Sequence, residues 1–199
     1  MSLGPTTLQG RLIRLEPLRP HHAAGVYTAG CSPAIWTWLS SSIAAPEDAD
    51  RFIASAAAGE ASGRELPFAV LRAEDGAVVG STRYLDIDPV NRSVEIGWTW
   101  YAPSVWGTAV NPEAKLLLMQ HAFEDWGARR VWLKTDNRNL HSQAAMRKLG
   151  AVYEGTLRNH RVRRDGSMRD TVVFSVIDSE WPGVKAGLLA RLDAHSTEQ

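Results

Sequence analysis

Three groups of residues in this 199-residue chain combine types and spacings that suit chemistry. In the run Val94 to Tyr101, the large apolar residues Val94, Ile96, Trp98 and Trp100 alternate with Glu95, Gly97 and Thr99. A period of two puts the apolar set on one face of a strand and the Glu95 carboxylate on the other. Further on, Gly107, Thr108 and Ala109 precede Asn111-Pro112-Glu113, where Asn111 suits a helix N-cap, Pro112 the first helical position and Glu113 the first turn. A helix start offers unpaired N–H groups to an anion such as a pyrophosphate, and small residues before it let the ligand approach the backbone. An ordinary capped helix explains the same residues. Asn139 and Ser142 open a second, shorter helix, where capping is again the plain reading.

The elements that must position these groups follow from periodicity. Leu8 to Glu16 alternates as a first strand, and Pro20 to Ala29 and Pro46 to Ala61 read as helices. Phe68 to Arg72, Val78 to Asp88 and Val94 to Tyr101 are strands separated by turn sequences at 74–76 and 89–91. The helix from Asn111 carries Leu116, Met119, Phe123 and Trp126 at helical spacing, so one side of it is core. Val131 to Thr135 is the next strand, Leu140 to Leu149 a helix closed by Gly150, and the sequence around Asp165-Gly166 a long hairpin. Asp178 to Ala194 is a final helix with Pro182 in its first turn.

Composition sets limits. With 44% hydrophobic residues and no low-complexity run, residues 1–199 form one domain, with a core over about 8–178 and the last helix over 179–194. A charged-then-apolar leader pattern is absent and no apolar run reaches membrane-spanning length, so a cytoplasmic protein without membrane contact is expected. A net charge of zero argues against nucleic-acid binding driven by counterion release. Arg158, His160, Arg161, Arg163 and Arg164 cluster before the hairpin turn and read first as a solvated face. The single cysteine, Cys31, rules out intrachain disulfides and a cysteine metal cluster, and packing is its expected role. The six histidines lack carboxylate-backed ligand spacing, so no metal is implied. Trp36 and Trp38 either wall a binding pocket or pack in the core.

The text EIGWTWYAPSVWGTAVNPEAKLLLMQHAFE, then ARRVWLKTDNRNLHSQAAMRKLGAVYEGTLR, then DGSMRDTVVFSVIDSEW resembles the GCN5-related N-acetyltransferase superfamily. It is most similar to the branch of ribosomal-protein serine/alanine N-terminal acetyltransferases. The resemblance implies an α+β fold whose strongly twisted, mostly antiparallel sheet is flanked by helices and splits to hold acetyl-CoA. It implies direct transfer of an acetyl group from acetyl-CoA to a primary amine, such as a protein N-terminal α-amine, in a ternary complex. Glu95 would then act as general base or as ligand for the acceptor's ammonium, and Ser142 would serve the departing thiolate. The backbone of Trp98 and Thr99 would hold the thioester carbonyl. Trp106, Gly107, Thr108, Ala109, Val110 and Asn111 would surround the pyrophosphate, and the Asn139 amide would meet the pantetheine chain or the carbonyl. Trp36 and Trp38 would line the acceptor side. The family's loop usually reads Gln/Arg-x-x-Gly-x-Gly/Ala, and this chain places Trp106, Ala109 and Asn111 at those positions, so altered phosphate contacts are expected. Alternatives are a small amine acceptor (polyamine, amino acid or aminoglycoside) and a non-catalytic acyl-CoA-binding module. Exposed sheet edges would permit a homodimer.

Overall fold

The computed structural model describes residues 4–196. Eight strands form one sheet in the order β1-β2-β3-β4-β5-β6-β8-β7. They are β1 (Leu8–Gln9), β2 (Ile13–Pro17), β3 (Leu66–Arg72), β4 (Val78–Asp88), β5 (Ser93–Tyr101), β6 (Arg130–Asp136), β7 (Val152–Val162) and β8 (Met168–Ile177). Every neighbouring pair is antiparallel except β5 and β6. Those two run parallel and pair only from Ser93–Arg130 to Glu95–Trp132, after which they part. The fold is α+β with a split in its sheet, as the resemblance implies. No helix among the described residues is long and apolar enough to cross a membrane.

Strand alternation sorts the helices onto two faces. Phe68 and Val70 of β3 point into a core completed by α3 (Val110–Gln120), α4 (Leu140–Leu149) and α5 (Trp181–Ser196). Ala69 and Leu71 point into a second core under α1 (Ala23–Gly30) and α2 (Pro46–Ala61). Turn chemistry matches the hairpin readings: Asp88 Oδ1 accepts from the N–H groups of Val90 and Asn91, and Asp75 Oδ1 from Ala77. Past Gln120 the helical backbone widens into a π turn over His121–Trp126, which Gly127 ends with φ at 78°. Phe123 of that turn stacks on Trp181, 5.3 Å between ring centroids, and so joins the last helix to the core.

Several expectations are corrected. The first strand is two strands, because the chain reverses at Gly10 and Leu8 pairs with Leu15. The reversal is held from α3: Glu113, 3% exposed, accepts hydrogen bonds from the backbone N–H of Arg11, Leu12 and Ile13 at 2.9, 2.8 and 2.8 Å. Glu113 is thus a buried acceptor for a distant turn. The helix begins at Val110 with Ala109 as N-cap, so Asn111 is the second helical residue and Pro112 the third. Pro112 is still among the first four positions, where an intrahelical N–H is not needed. Cys31 is exposed at the end of α1.

The alternation in β5 is also broken. Val94 and Ile96 lie in the α3-side core, whereas Trp100 lies in the opposite one with Trp98 packed against it. The register with β4 shifts between Ser81–Trp100 and Arg83–Gly97, placing one extra residue in β5, and Trp98 takes a left-handed φ of 50°. A β-bulge of this kind moves every later side chain to the other face.

Replacing Glu113 by Ala would leave three N–H groups without their acceptor. Urea unfolding of Glu113→Ala is expected to show a loss of about 2 kcal/mol, given roughly 1–3 kcal/mol for a buried donor left unpaired, because the Ile13 N–H is buried while those of Arg11 and Leu12 can reach water. An unchanged midpoint would show that the carboxylate does not hold the turn.

Candidate active site

The parting of β5 from β6 makes a fork, and Glu95 is the last paired residue before it opens. Its side chain is 2% exposed and lies on the face opposite Val94 and Ile96. Oε2 accepts from Lys134 Nζ at 2.6 Å, and that ammonium also lies 4.8 Å from the centre of the Trp132 ring. Oε1 accepts no hydrogen bond from any described residue and leans over Gly97, where an added Cβ would stand 2.7 Å from it. Burial pushes the Glu95 pKa above the ordinary carboxylate value, opposed by the nearby Lys134 charge. A carboxylate so placed can accept a proton from, or hold, an ammonium ion arriving at the fork.

Beyond Glu95, the β6-facing edge of β5 has no ladder partner, so its backbone groups face the gap. The bulge sits on this stretch. Trp98 is half-buried there, and the Thr99 hydroxyl turns under α3 instead, where it meets the Thr82 hydroxyl at 2.8 Å and accepts from Lys115 Nζ at 3.2 Å. Only the backbone of Thr99 is therefore open to the fork.

The α3 start lies at the end of this strand. Tyr101 leads through a short turn, Pro103–Val105, to Trp106, whose Nε1 donates to the Tyr101 carbonyl at 2.8 Å. The indole N–H is thereby engaged within the loop. Gly107 follows with φ at 76°, a conformation that favours glycine. The Thr108 hydroxyl donates to Val105 O at 2.7 Å and accepts from Val110 N–H at 3.3 Å, so a residue before the N-cap, and not Asn111, takes up the first helical N–H. Ala109 and Val110 are buried, while Asn111 is half-buried. Among the described residues, the N–H groups of Gly107, Ala109 and Asn111 have no hydrogen-bond acceptor. Unpaired N–H groups at a helix start form an anion cradle.

On the other arm, Asn139 caps α4 by accepting from Ser142 N–H at 3.0 Å. Its amide nitrogen and the half-buried Ser142 hydroxyl make no hydrogen bond to any described residue. Both donors thus remain available beside the fork strand β6 and at a helix start, where negative charge is favoured.

The two tryptophans do not act together. Trp36 is 3% exposed, donates Nε1 to Gly30 O at 2.7 Å and packs on Trp100 with centroids 5.3 Å apart, so it is core. Trp38, at 39% exposure, is on the surface. Two groups escaped sequence reasoning. Lys134 reads in sequence as the outward residue of a strand, yet it is the partner of Glu95. Lys115 sits on the helix stripe but is 8% exposed, and burial lowers its pKa to about 8. Of the basic hairpin, Arg163 is tied to the buried Asp136 at 2.6 and 2.8 Å, while Arg158, Arg161 and Arg164 stay exposed. Glu16 does come near His21 and His22, their ligand atoms within 4.8 Å of one another. His22 Nδ1 accepts from Arg19 N–H, so its Nε2 carries the proton, and Glu16 Oε1 is paired with Arg14; the group reads as a polar cluster.

These features define a class. The sequence profile of the Acetyltransferase (GNAT) domain matches residues 12–152, and the chain belongs to that family. It is 32% identical over 111 residues to the provisionally named ribosomal N-acetyltransferase YdaF of Bacillus subtilis (strain 168), a match over 56% of this chain and 60% of that protein. A structure of a provisionally named acetyltransferase from T. thermophilus is 38% identical with a TM-score of 0.84, covering 96% of this chain and 100% of the other. A GCN5-related N-acetyltransferase from Brucella melitensis is 32% identical with a TM-score of 0.90, covering 96% and 87%.

Lys115 gives a pH signature. The folded side chain titrates near pH 8 and the unfolded one near 10.5. Between these values the unfolded chain binds the extra proton, so stability rises with pH across that window. Lys115→Met is expected to abolish the rise and to add roughly 2–3 kcal/mol at pH 7 in urea unfolding. A wild-type profile flat from pH 8 to 10 would contradict the burial of a charged amine here.

Proposed function

We propose that the protein is an acetyl-CoA-dependent N-acetyltransferase that moves the acetyl group directly to a primary amine at the fork between β5 and β6. The observation that carries this reading is the fork itself. A buried carboxylate with one free oxygen stands at its apex, and an unpartnered strand edge leads from there to unpaired N–H groups at a helix start. In this reading those N–H groups hold the pyrophosphate of acetyl-CoA, with the Asn111 side chain and the Trp106 ring beside it. The pantetheine chain runs along the edge of β5 and meets the Asn139 amide, and a backbone N–H near Trp98 and Thr99 polarises the thioester carbonyl.

The chemistry then balances within the site. The acceptor ammonium loses a proton to Glu95 Oε1, directly or through water, and the free amine attacks the thioester carbon. The C–N bond forms, the C–S bond breaks, and the proton released from nitrogen passes to the departing thiolate, with Ser142 as the nearest hydroxyl at the α4 start. The acceptor is a protein N-terminal α-amine, a reading supported by the name ribosomal N-acetyltransferase given provisionally to YdaF. A second reading, an acyl-CoA-binding module without turnover, draws on the ion pair between Glu95 and Lys134, which occupies one oxygen of the proposed base.

Calorimetric titration with acetyl-CoA tests the cofactor site. Saturable binding is expected in the wild type and at least a tenfold loss in Asn111→Glu, whose carboxylate suits a helix start but repels a phosphate. No wild-type binding would sink the enzyme reading. Glu95→Gln separates the two roles of the carboxylate when CoA release is followed with N-terminal peptides. A general base predicts a fall in kcat of about a hundredfold with KM little changed, and loss of a rising pH limb displaced above the ordinary carboxylate range. An ammonium ligand predicts a raised KM at nearly constant kcat.

A further inference from the structure

On the same sheet face as Glu95, between α2 and β4, lies a cavity of about 300 Å³ whose lining includes Ser40, Ser41, Ser42, Ser55, Arg83 and Trp98. Arg83 is the unusual member. It stands in the middle of β4 at 3% exposure, with its guanidinium carbon 5.0 Å from the centres of both the Phe52 and Trp98 rings. Stacking between two rings fixes the plane of the cation. Nη1 donates to Glu65 at 2.8 Å, but among the described residues neither the buried Nε nor Nη2 has an acceptor. A buried donor left unpaired costs on the order of 1–3 kcal/mol, so an orphan edge on a guanidinium calls for a partner. Nε and Nη2 form the side of the fork that matches the two oxygens of a carboxylate.

The remaining lining agrees in chemistry. The serines contribute hydroxyls, and the acidic residue at the rim, Asp48, is already engaged by the N–H groups of Ala44 and Ala45 and by Arg51. The register relates Arg83 to the reacting centre. Arg83 pairs with Gly97 and Leu85 with Glu95, so Arg83 and Glu95 are diagonal neighbours on one face. The backbones of such neighbours stand about 7–8 Å apart, a spacing that roughly two extended residues of an acceptor would cover.

We infer that the acceptor carries a carboxylate within about two residues of its reactive amine, and that Arg83, assisted by the serines of the cavity, is the group that recognises it. This rests on the acetyl-transfer reading and narrows its substrate class. The carboxylate belongs either to an acidic side chain near the start of a peptide or to the free terminus of a small acceptor. The extra residue in β5 serves this recognition by turning Trp98 onto the guanidinium.

The test compares matched acceptors, a peptide beginning Ser-Glu against one beginning Ser-Gln, and an amino acid against its amide, in wild type, Arg83→Gln and Ser55→Asp. In wild type the carboxylate member of at least one pair is expected to have a tenfold or greater advantage in kcat/KM, carried by KM. Which pair shows it identifies the source of the carboxylate. Arg83→Gln is expected to abolish the advantage. Ser55→Asp, on the exposed side of α2, keeps the buried cation and is expected to reduce the advantage through like charge, which guards against a folding defect in the first variant. An advantage absent in wild type, or retained in both variants, overturns the inference. Should no acceptor be acetylated, the activity reading fails separately. Calorimetry of the CoA-loaded protein with the same pairs then decides: preferential carboxylate binding that Arg83→Gln removes upholds recognition, and equal or absent binding overturns it.

Discussion

One extra residue in β5 governs the arrangement of everything around the fork. Up to Ile96 the strand feeds the α3-side core; after the bulge, Trp100 feeds the core beneath α1 and α2. Without the shift at Trp98, a single apolar face would collect four large side chains and neither Arg83 nor Lys115 would find its present neighbour. With it, Trp98 stacks on Arg83 and Thr99 meets Lys115 from the opposite side. The left-handed φ at a tryptophan is strained, and it is sustained by packing on both faces. Pairing with β6 stops at Glu95, just before the bulge, so the irregularity that redistributes the core sits where the gap begins.

Electrostatics divides the sheet in a similar way. On one face Glu95 is matched by Lys134 and Arg83 by Glu65, so two buried charges have ionic partners at 2.6 and 2.8 Å. On the other face Lys115 hydrogen-bonds the Thr99 hydroxyl and no other described residue, and burial lowers its pKa. Removing one partner of the first kind leaves a charge stranded, whereas removing Lys115 relieves a burden. The contrast explains how a neutral chain can still concentrate charge sharply at one place.

Much of the fold is legible in the sequence because it follows from local pattern. The bounds of β4, α2 and α4 agree with the run of apolar residues, the Pro46-Glu47-Asp48 start and the Gly150 stop. The fork could be reached only through the resemblance, since strand parting leaves no compositional trace. What escaped reading depended on long-range contact. The bulge defeats a period-two reading because VEIGWTWY alternates perfectly as text. The turn at Gly10 looks like strand until Glu113, about a hundred residues away, supplies its acceptors. Asn111 reads as a cap by residue type, but the Thr108 hydroxyl reaches the helix start first. Lys134 and Arg83 resemble ordinary outward-facing strand residues until their partners are known.

The Glu113 anchor ties the turn at Gly10 to the first turn of α3, the helix end proposed to hold the cofactor. Gly10 is pressed against that carboxylate so closely that a methyl group there would lie 2.6 Å from its carbon. For anyone shortening the chain, adding a tag or grafting this domain onto another, the turn from Leu8 to Ile13 is therefore not dispensable. A cut placed after the turn would detach the brace of α3 while leaving every residue of the proposed cofactor loop in the polypeptide, and the loss would register as failed ligand binding far from the edit.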